Sequence, residues 1–238
     1  MYSLNYKVTT STCDEQKRLK LYSALQMMQD CSELWIACEP GVEEFFRKEH
    51  RTQLLASRQV DIVRVPQYGE DLKVVSTVYG MKSMFGFRNT FIYDAEGKPC
   101  YKTWSMGAFV DRETGQLARV PQDVMDTMTL EKQLDMEYLD RRIHVPEGEF
   151  TAHEAYQVTR NDIDYNHHVN NANYVRIVCE HIPADFQYTR MRIEFRLAVK
   201  FGETIRPESM MADGKLLFRL VTDAGVVMCQ SMAQIRPA

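Results

Sequence analysis

Hydrophobic residues follow two different patterns in the first half of the chain. From Leu21 to Leu34 they recur every three or four positions, which predicts a helix with one apolar side. The sequence Glu39-Pro-Gly41 is expected to end that helix. Elsewhere apolar and polar residues alternate, as in β-strands, and turn residues separate the runs. The predicted strands cover residues 3–9, 57–65, 71–79, 85–93 and 99–110.

The second half repeats this order after a segment of different composition. Residues 121–149 are rich in Asp, Glu, Met and Gln, and we interpret them as a linker with one or two short helices. Residues 171–182 then predict a helix that stops at Pro183. Extended segments are predicted at residues 152–159, 189–199, 204–211, 216–222 and 226–235.

Matching residues in the two halves indicate an internal duplication. Ala24 of the first helix has a counterpart in Ala172, 148 residues later, and the Gly-Glu turn at Gly69 returns at Gly202. Because consecutive strands are joined by short turns, a parallel βαβ arrangement is excluded. We therefore predict an α+β fold of two units in tandem. The expected division is residues 1–120, a linker at 121–149, and residues 150–238.

The composition is that of an ordinary globular protein. In 238 residues, 29 Lys and Arg face 33 Asp and Glu, and the net charge of −4 argues against a nucleic-acid partner. The sequence shows neither a signal peptide nor an apolar run of the ~20 residues that a membrane-spanning helix needs. The six scattered cysteines form no CxxC pair, so we expect reduced thiols and a cytoplasmic protein.

The most informative segment is the polar stretch at residues 161–174, directly before the second helix. If it is extended, Asp164, Asn166 and His168 alternate and share one face. Asn170 or Asn171 is then a good N-cap, and the free amides of the helix start can stabilise an oxyanion. A carboxylate or an imidazole can activate water, so the segment offers the parts of an acyl-transfer hydrolase.

Other interpretations of this segment remain open at this point. Asn and Asp are common in loops for local reasons, so a purely structural turn is an alternative. A calcium loop fails because His167 and Asn173 occupy the positions that need Gly and Glu. A metal site is not favoured either, because His167 and His168 are adjacent and cannot easily face one ion.

The motif Asp164-x-Asn166-x-His168-Val-Asn-Asn171-x-x-Tyr174 resembles the C-terminal signature of acyl-acyl carrier protein thioesterases. Arg58-Gln-Val and Phe85-Gly-Phe-Arg-Asn89 look like the N-terminal half of bacterial members, so the resemblance covers nearly the whole chain. It implies a double hotdog fold, in which each long helix is wrapped by a curved antiparallel β-sheet.

The resemblance also implies a function. A member hydrolyses fatty acyl thioesters of acyl carrier protein (ACP), which ends fatty acid synthesis, and needs no metal or redox cofactor. The catalytic set falls on Asp164, Asn166 and His168, and the acyl chain is expected in residues 1–120. The implied partner is ACP, with no nucleic acid and no stable membrane insertion, and the chain is expected to be a monomer or a homodimer.

One departure from the family pattern leaves alternatives open. Many members carry Glu, and plant members Glu-Cys, where this chain has Ala198 and Val199. Either Asp164 and His168 suffice, or another acid such as Glu194 or Glu203 takes its place, or activity is low. The alternatives are an acyl-CoA thioesterase, a hotdog dehydratase, and a non-catalytic acyl-binding hotdog protein. A carrier-protein enzyme should have a basic rim for the acidic ACP, and its candidate residues are Lys82, Arg88, Arg190 and Arg192.

Overall fold

The computed structural model describes residues 1–235, which form two compact units. Unit 1 consists of Met1–Arg58 and Ile62–Leu139. Unit 2 consists of Gln59–Asp61 and the chain from Asp140 onwards. Helices and an antiparallel sheet occur in both units, so the prediction of an α+β fold is confirmed.

Unit 1 is a five-stranded antiparallel sheet with three helices. In space the strands follow the order β1-β3-β4-β5-β2. They are β1 (Tyr2–Lys7), β2 (Arg51–Ile62), β3 (Asp71–Lys82), β4 (Phe85–Tyr93) and β5 (Pro99–Asp111). The helices are α1 (Leu21–Leu34), α2 (Pro40–Lys48) and α3 (Gln122–Met125), and a 3₁₀ turn, Trp35–Cys38, connects the first two.

Helix α1 forms because its apolar stripe has a sheet to bury against. Ala24, Met28 and Cys31 are fully buried, and the helix packs on β1, β3 and β4. The expected stop at Glu39 is only partly right, because Pro40 is the first residue of α2. Proline favours a first helical position, where its missing N–H is not needed. Val42 and Phe46 of α2 then pack with Phe109 and Val120.

Unit 2 is built on the same plan with a shorter helix. Strands β8 (Tyr188–Phe195), β11 (Gly225–Gln234), β10 (Lys215–Thr222), β9 (Thr204–Ala212) and β6 (Thr151–Ala152) are neighbours in that order, and β7 (Tyr156–Gln157) pairs with β9. Helix α4 (Asn171–Cys179) ends three residues before the predicted stop. Tyr174, Val175 and Val178 form its buried face.

The duplication predicted from the sequence is visible in the turns that precede α1 and α4. We call residues 14–18 turn A and residues 164–168 turn B. Lys17 and His167, 150 residues apart, both have a left-handed φ of 63°. The step between equivalent residues is therefore 150 at the start of the helices, and the pairing of Ala24 with Ala172 is out of register by two residues.

Candidate active site

Turn B is a tight turn and not an extended strand. The Asp164 N–H donates to the His168 carbonyl (2.9 Å), and the His167 N–H donates to the Asp164 carbonyl (3.0 Å). The Asp164 Oδ1 accepts from the Asn166 N–H (2.8 Å). The prediction that Asp164, Asn166 and His168 share a face by strand alternation is therefore wrong. The turn instead brings the backbone of residue 168 beside that of residue 164.

Local chemistry explains the turn. An Asp side chain readily accepts a hydrogen bond from the backbone two residues later, and this closes the loop. The flanking residues Ile163 and Val169 form an antiparallel bridge, and the Val169 N–H donates to the Val199 carbonyl (2.8 Å). Asp164, Asn166 and His168 are all half-buried, so each side chain is accessible from outside the unit.

The start of α4 is capped by Asn170, one of the two predicted caps. Its Oδ1 accepts from the Ala172 N–H (3.0 Å), and its carbonyl accepts from the Asn173 N–H (2.9 Å). These two amides are among the groups that a helix start normally leaves free. Because Asn170 occupies them, the prediction that free amides of the helix start bind the oxyanion is wrong for Ala172 and Asn173.

A buried carboxylate that the sequence interpretation overlooked fixes the segment before turn B. Asp162 is only 2% exposed. Its carboxylate accepts from the Thr159 N–H (2.8 Å), the Thr159 hydroxyl (2.7 Å), the Tyr156 hydroxyl (2.8 and 3.0 Å) and Arg176 Nη2 (2.7 Å). The pattern Thr-x-x-Asp is a readable signal for this contact, because it is a capping box. Arg176 lies on α4, so the ion pair ties the turn to the helix.

These contacts also set the charge state of Asp162. Burial alone raises the pKa of a carboxyl group, because it disfavours the charged form. Here the hydrogen bonds from Thr159, Tyr156 and Arg176 outweigh burial and lower the pKa of Asp162 below its usual value. The main-chain carbonyl of Asp162 accepts from the Asn170 N–H (2.8 Å) and from Asn173 Nδ2 (3.1 Å). Asp162 thus contacts both the segment before turn B and the start of α4.

The phenol of Tyr174 connects α4 to the position where the family often has an acid. Its Oη accepts from the Val199 N–H (3.0 Å). Burial raises the pKa of Tyr174, and the negative charges of Glu203 and Asp164 raise it further. Glu203 and Asp164 therefore both lie close enough to the Tyr174 phenol to act on it electrostatically.

The other candidate acid is engaged elsewhere. Glu194 Oε2 accepts from the Ile143 N–H (3.1 Å) and from Arg196 Nη2 (3.1 Å). Glu203 is itself tied to the Lys200 N–H. Of the two candidate acids, Glu203 is the one that acts electrostatically on Tyr174, as Asp164 also does.

The basic residues expected at a docking rim differ in their exposure and in their partners. Arg88 is buried and donates to the Ser32 carbonyl and to Gln53 Oε1, so its assignment as a rim residue is wrong. Arg190 forms an ion pair with Asp61 (2.6 Å). Lys82 is exposed and lies over the Phe87 ring (5.8 Å).

Neither a metal-binding cluster nor a membrane-spanning helix occurs in residues 1–235. No group of three or more His, Cys, Asp or Glu in this part of the chain could hold a metal ion. None of the helices described is long and apolar enough to cross a membrane.

Comparison with protein families identifies the chain. The model of the acyl-ACP thioesterase N-terminal domain matches residues 1–128, and that of the C-terminal domain matches residues 146–236. The chain belongs to the acyl-ACP thioesterase family. The recognition from the Asp164 motif is thereby confirmed, and the protein is a thioester hydrolase of fatty acyl-ACP.

Solved structures confirm the hotdog fold. An acyl-ACP thioesterase from Bacteroides thetaiotaomicron has a TM-score of 0.85 at 17% identity, over 97% of this chain and 96% of that one. The 12:0-ACP thioesterase from Umbellularia californica has a TM-score of 0.82 at 16% identity, over 100% of this chain and 97% of that one. A MaoC-like dehydratase from Phytophthora capsici reaches 0.55 at 16% identity, over 78% of this chain and 72% of that one. Comparison with curated proteins found no match.

Proposed function

We propose that this thioesterase ends fatty acid synthesis in the cytoplasm, by cleaving fatty acyl-ACP at turn B. Turn B itself carries the proposal, because it brings a carboxylate, an amide and an imidazole into five consecutive residues beside a capped helix. Residues 150–238 would then supply the chemistry. Residues 1–120 would take the acyl chain, and residues 121–149 would link the two.

His168 acts as the general base in this proposal. It removes a proton from water as the water oxygen forms a bond to the thioester carbon. The tetrahedral intermediate then breaks its C–S bond, and His168 returns the proton to the departing thiol of the carrier. The free acid and the carrier protein are the products, and no metal or redox cofactor takes part.

Asp164 and Asn166 have separate roles. One oxygen of Asp164 holds the turn through the Asn166 N–H, and the negative charge of the carboxylate orients and stabilises the His168 imidazolium. Because Asn170 occupies two amides of the helix start, the side-chain amide of Asn166 is the proposed donor to the developing oxyanion.

A direct comparison of carriers tests the substrate assignment. The same acyl chain is offered on ACP and on CoA at equal concentration, and initial rates are measured. We expect faster hydrolysis of acyl-ACP. Equal or faster hydrolysis of acyl-CoA would assign the enzyme to the CoA thioester instead.

Ala198 and Val199 replace an acid of the family pattern, and neither side chain can exchange a proton. Catalysis in this chain would therefore rest on Asp164, Asn166 and His168. Turnover of acyl-ACP that disappears in His168→Ala would support this assignment. Turnover that survives the change would contradict it.

A further inference from the structure

The interior of unit 1 is polar where α1 crosses the sheet. The Ser32 hydroxyl of α1 is bonded to those of Ser76 (3.3 Å) and Thr90 (3.1 Å). Thr90 pairs with Thr103 on β5, so both lie on the sheet face that α1 covers. Arg88, two residues before Thr90 on β4, lies on the same face. Buried hydroxyls and a guanidinium therefore occupy a region where an apolar core is the usual solution.

Four buried residues beside these hydroxyls, Gln29, Trp35, Arg58 and Arg88, form what we call the interior polar cluster, and the exposed Glu33 lies at its edge. Arg88 lies over the Trp35 ring at 5.2 Å, and Gln29 Nε2 donates to Glu33 Oε1 (3.1 Å). Arg58 interacts electrostatically with both Arg88 and Glu33. The cluster is therefore continuous from α1 through the 3₁₀ turn to β2 and β4.

Three members of the cluster have polar atoms without a partner. In the described part of the chain, Arg58 Nε, Trp35 Nε1 and Gln29 Oε1 are buried and make no hydrogen bond. These residues are only 4%, 3% and 8% exposed. Folded proteins rarely leave such groups unpaired, because each loses its bonds to water without replacement. Three such groups belong to one cluster, and a ligand with complementary atoms would satisfy them.

The chemistry of the unpaired atoms limits what that ligand can be. The Nε–H of arginine and the Nε1–H of tryptophan are donors and never acceptors. Burial, reinforced by the neighbouring Arg88, lowers the pKa of Arg58 to about 10, so the guanidinium stays charged at neutral pH. A ligand that satisfies both donors must carry an acceptor oxygen, and a plain hydrocarbon chain has none.

We propose that the interior polar cluster binds an oxygen atom on the acyl chain, so that the preferred substrate is an oxo- or hydroxyacyl-ACP and not an unsubstituted one. The inference rests on the proposed entry of the acyl chain into unit 1. The oxygen concerned is a second one, separate from the thioester carbonyl that reacts at turn B.

Substrate comparison is the first test. Acyl-ACPs of one chain length are prepared unsubstituted and with a ketone or hydroxyl at successive positions, and kcat/KM is measured for each. At least one oxygenated substrate should exceed the unsubstituted one by about tenfold, as expected for one or two hydrogen bonds to charged or buried donors. If the unsubstituted chain is cleaved and none of the oxygenated chains exceeds it, the inference is wrong and the proposed function stands.

Matched variants show whether the cluster causes that preference. Trp35→Phe removes the N–H and keeps an aromatic ring, and it should reduce the preference about threefold to tenfold. Trp104→Phe is the control, because Trp104 is one position along β5 from Thr103 and faces the opposite side of the sheet. An equal loss in both variants, or no loss in either, would overturn the inference.

Arg58→Met gives a readout that a purely structural residue would not give. Arg58 is buried beside the like charge of Arg88, which destabilises the ligand-free protein, so replacement by an uncharged side chain should raise Tm by about 2–4 °C while lowering the preference for the oxygenated chain. A lower Tm with an unchanged preference would contradict the proposal.

Binding of free fatty acids separates this inference from the proposed function. If no acyl-ACP is cleaved, the proposed function fails, but thermal shift with equal-length fatty acids still decides the inference. Stronger stabilisation by the hydroxy or oxo acid that is lost in Trp35→Phe supports it. Equal stabilisation by all acids contradicts it.

Discussion

Turn A and turn B have the same backbone but different side chains. In turn A, the Asp14 N–H donates to the Arg18 carbonyl (2.8 Å), and the Lys17 N–H donates to the Asp14 carbonyl (3.0 Å). The Asp14 Oδ1 accepts from the Gln16 N–H (2.9 Å). Each of these bonds has its equivalent in turn B, 150 residues later. The aspartate therefore builds the turn in both units, and turn formation alone is no sign of a catalytic role.

The difference lies at the other two positions of the motif. Where turn B has Asn166 and His168, turn A has Gln16 and Arg18. Arg18 Nε donates to Asp14 Oδ2 (3.1 Å), which shows that a side chain at this position reaches the carboxylate. In turn A the partner is a permanent cation that cannot exchange a proton near neutral pH, whereas an imidazole can. From this difference we propose that Asp164 shapes turn B and supports His168, whereas residues 166 and 168 supply the groups that turn A lacks.

A second difference lies just before the turns. The residue of unit 1 that is equivalent to Asp162 is Thr12. Of the donors equivalent to those that Asp162 binds, the Thr12 hydroxyl accepts only from the Thr9 N–H (2.9 Å). Asp162 adds the ion pair with Arg176 to the same kind of contact. Helix α4 also begins with a side-chain cap, whereas Lys20 before α1 provides none. Turn B is thus held by more contacts than turn A, as expected for a turn that is proposed to position reacting groups.

The largest expected effect is on His168. Replacement by alanine should lower kcat on acyl-ACP by about 10³-fold, because the general base is lost. The matched change Arg18→Ala in turn A should leave kcat within about twofold, since that side chain lies in the non-catalytic copy. Initial rates at saturating substrate measure both. Equal losses in the two variants would remove the distinction between the turns.

Asn166→Ala is expected to come next. Loss of the proposed oxyanion donor should lower kcat by about 10²-fold, with little change in KM. Gln16→Ala is the matched control and should have no effect on either constant. A change confined to KM would show that Asn166 binds the substrate but does not act in the transition state.

Asp162→Asn should weaken the fold of unit 2 and its catalytic turn together. We expect a loss of about 2 kcal/mol in the free energy of unfolding, because Arg176 loses its anionic partner and the amide cannot accept every donor. Thermal unfolding measures the loss, with Thr12→Val as the control at the equivalent position. A variant that matches the wild type in both Tm and kcat would refute the positioning role.

Asp14→Ala should have a smaller effect, of about 1 kcal/mol, because it removes the oxygen that closes turn A. Activity should stay within about twofold of wild type. Comparison of Tm and kcat checks both expectations. A loss of turnover as large as that in Asp164→Ala would contradict the assignment of chemistry to turn B alone.

The smallest expected effect concerns pH. The pKa of Asp162 is lowered in the folded protein, so its ion pair contributes fully above the unfolded pKa of about 4 and is lost as pH falls through the folded value. The Tm difference between wild type and Asp162→Asn should be constant from about pH 6 to 8 and should shrink below about pH 4. A difference that grows on acidification would contradict the lowered pKa.

Sequence patterns predicted the elements whose signal is local. The apolar stripe predicted α1 with its bounds, and alternation predicted β4 at Phe85–Tyr93. Helix α2 was missed because Pro40 was interpreted only as a stop, although proline also begins helices. The shape of turn B was not predicted. A hydrogen bond from the Asn166 N–H to the Asp164 carboxylate closes the turn, and a bond to the carbonyl of Val199, which is distant in the sequence, anchors it.

For the candidate site, too, only local signals could be read from the sequence. The motif gave the hypothesis that Asp164, Asn166 and His168 carry the chemistry, because their types and spacing lie in one short segment, and this assignment stays a prediction. The role of Asp162 could be predicted only in part. Its capping box with Thr159 is a local sequence pattern, but its ion pair with Arg176 depends on the packing of α4. The interior polar cluster of unit 1 combines residues from α1, β2 and β4, and no sequence pattern joins them.

The exchange of turn A residues into turn B tests the central claim most directly. The double variant N166Q/H168R keeps Asp164 and gives turn B the side chains that turn A tolerates, so its backbone should persist. We predict a Tm within about 3 °C of wild type, together with a loss of kcat on acyl-ACP of about 10³-fold or more. A folded double variant that keeps its turnover within about tenfold of wild type would contradict the claim that residues 166 and 168 carry the chemistry.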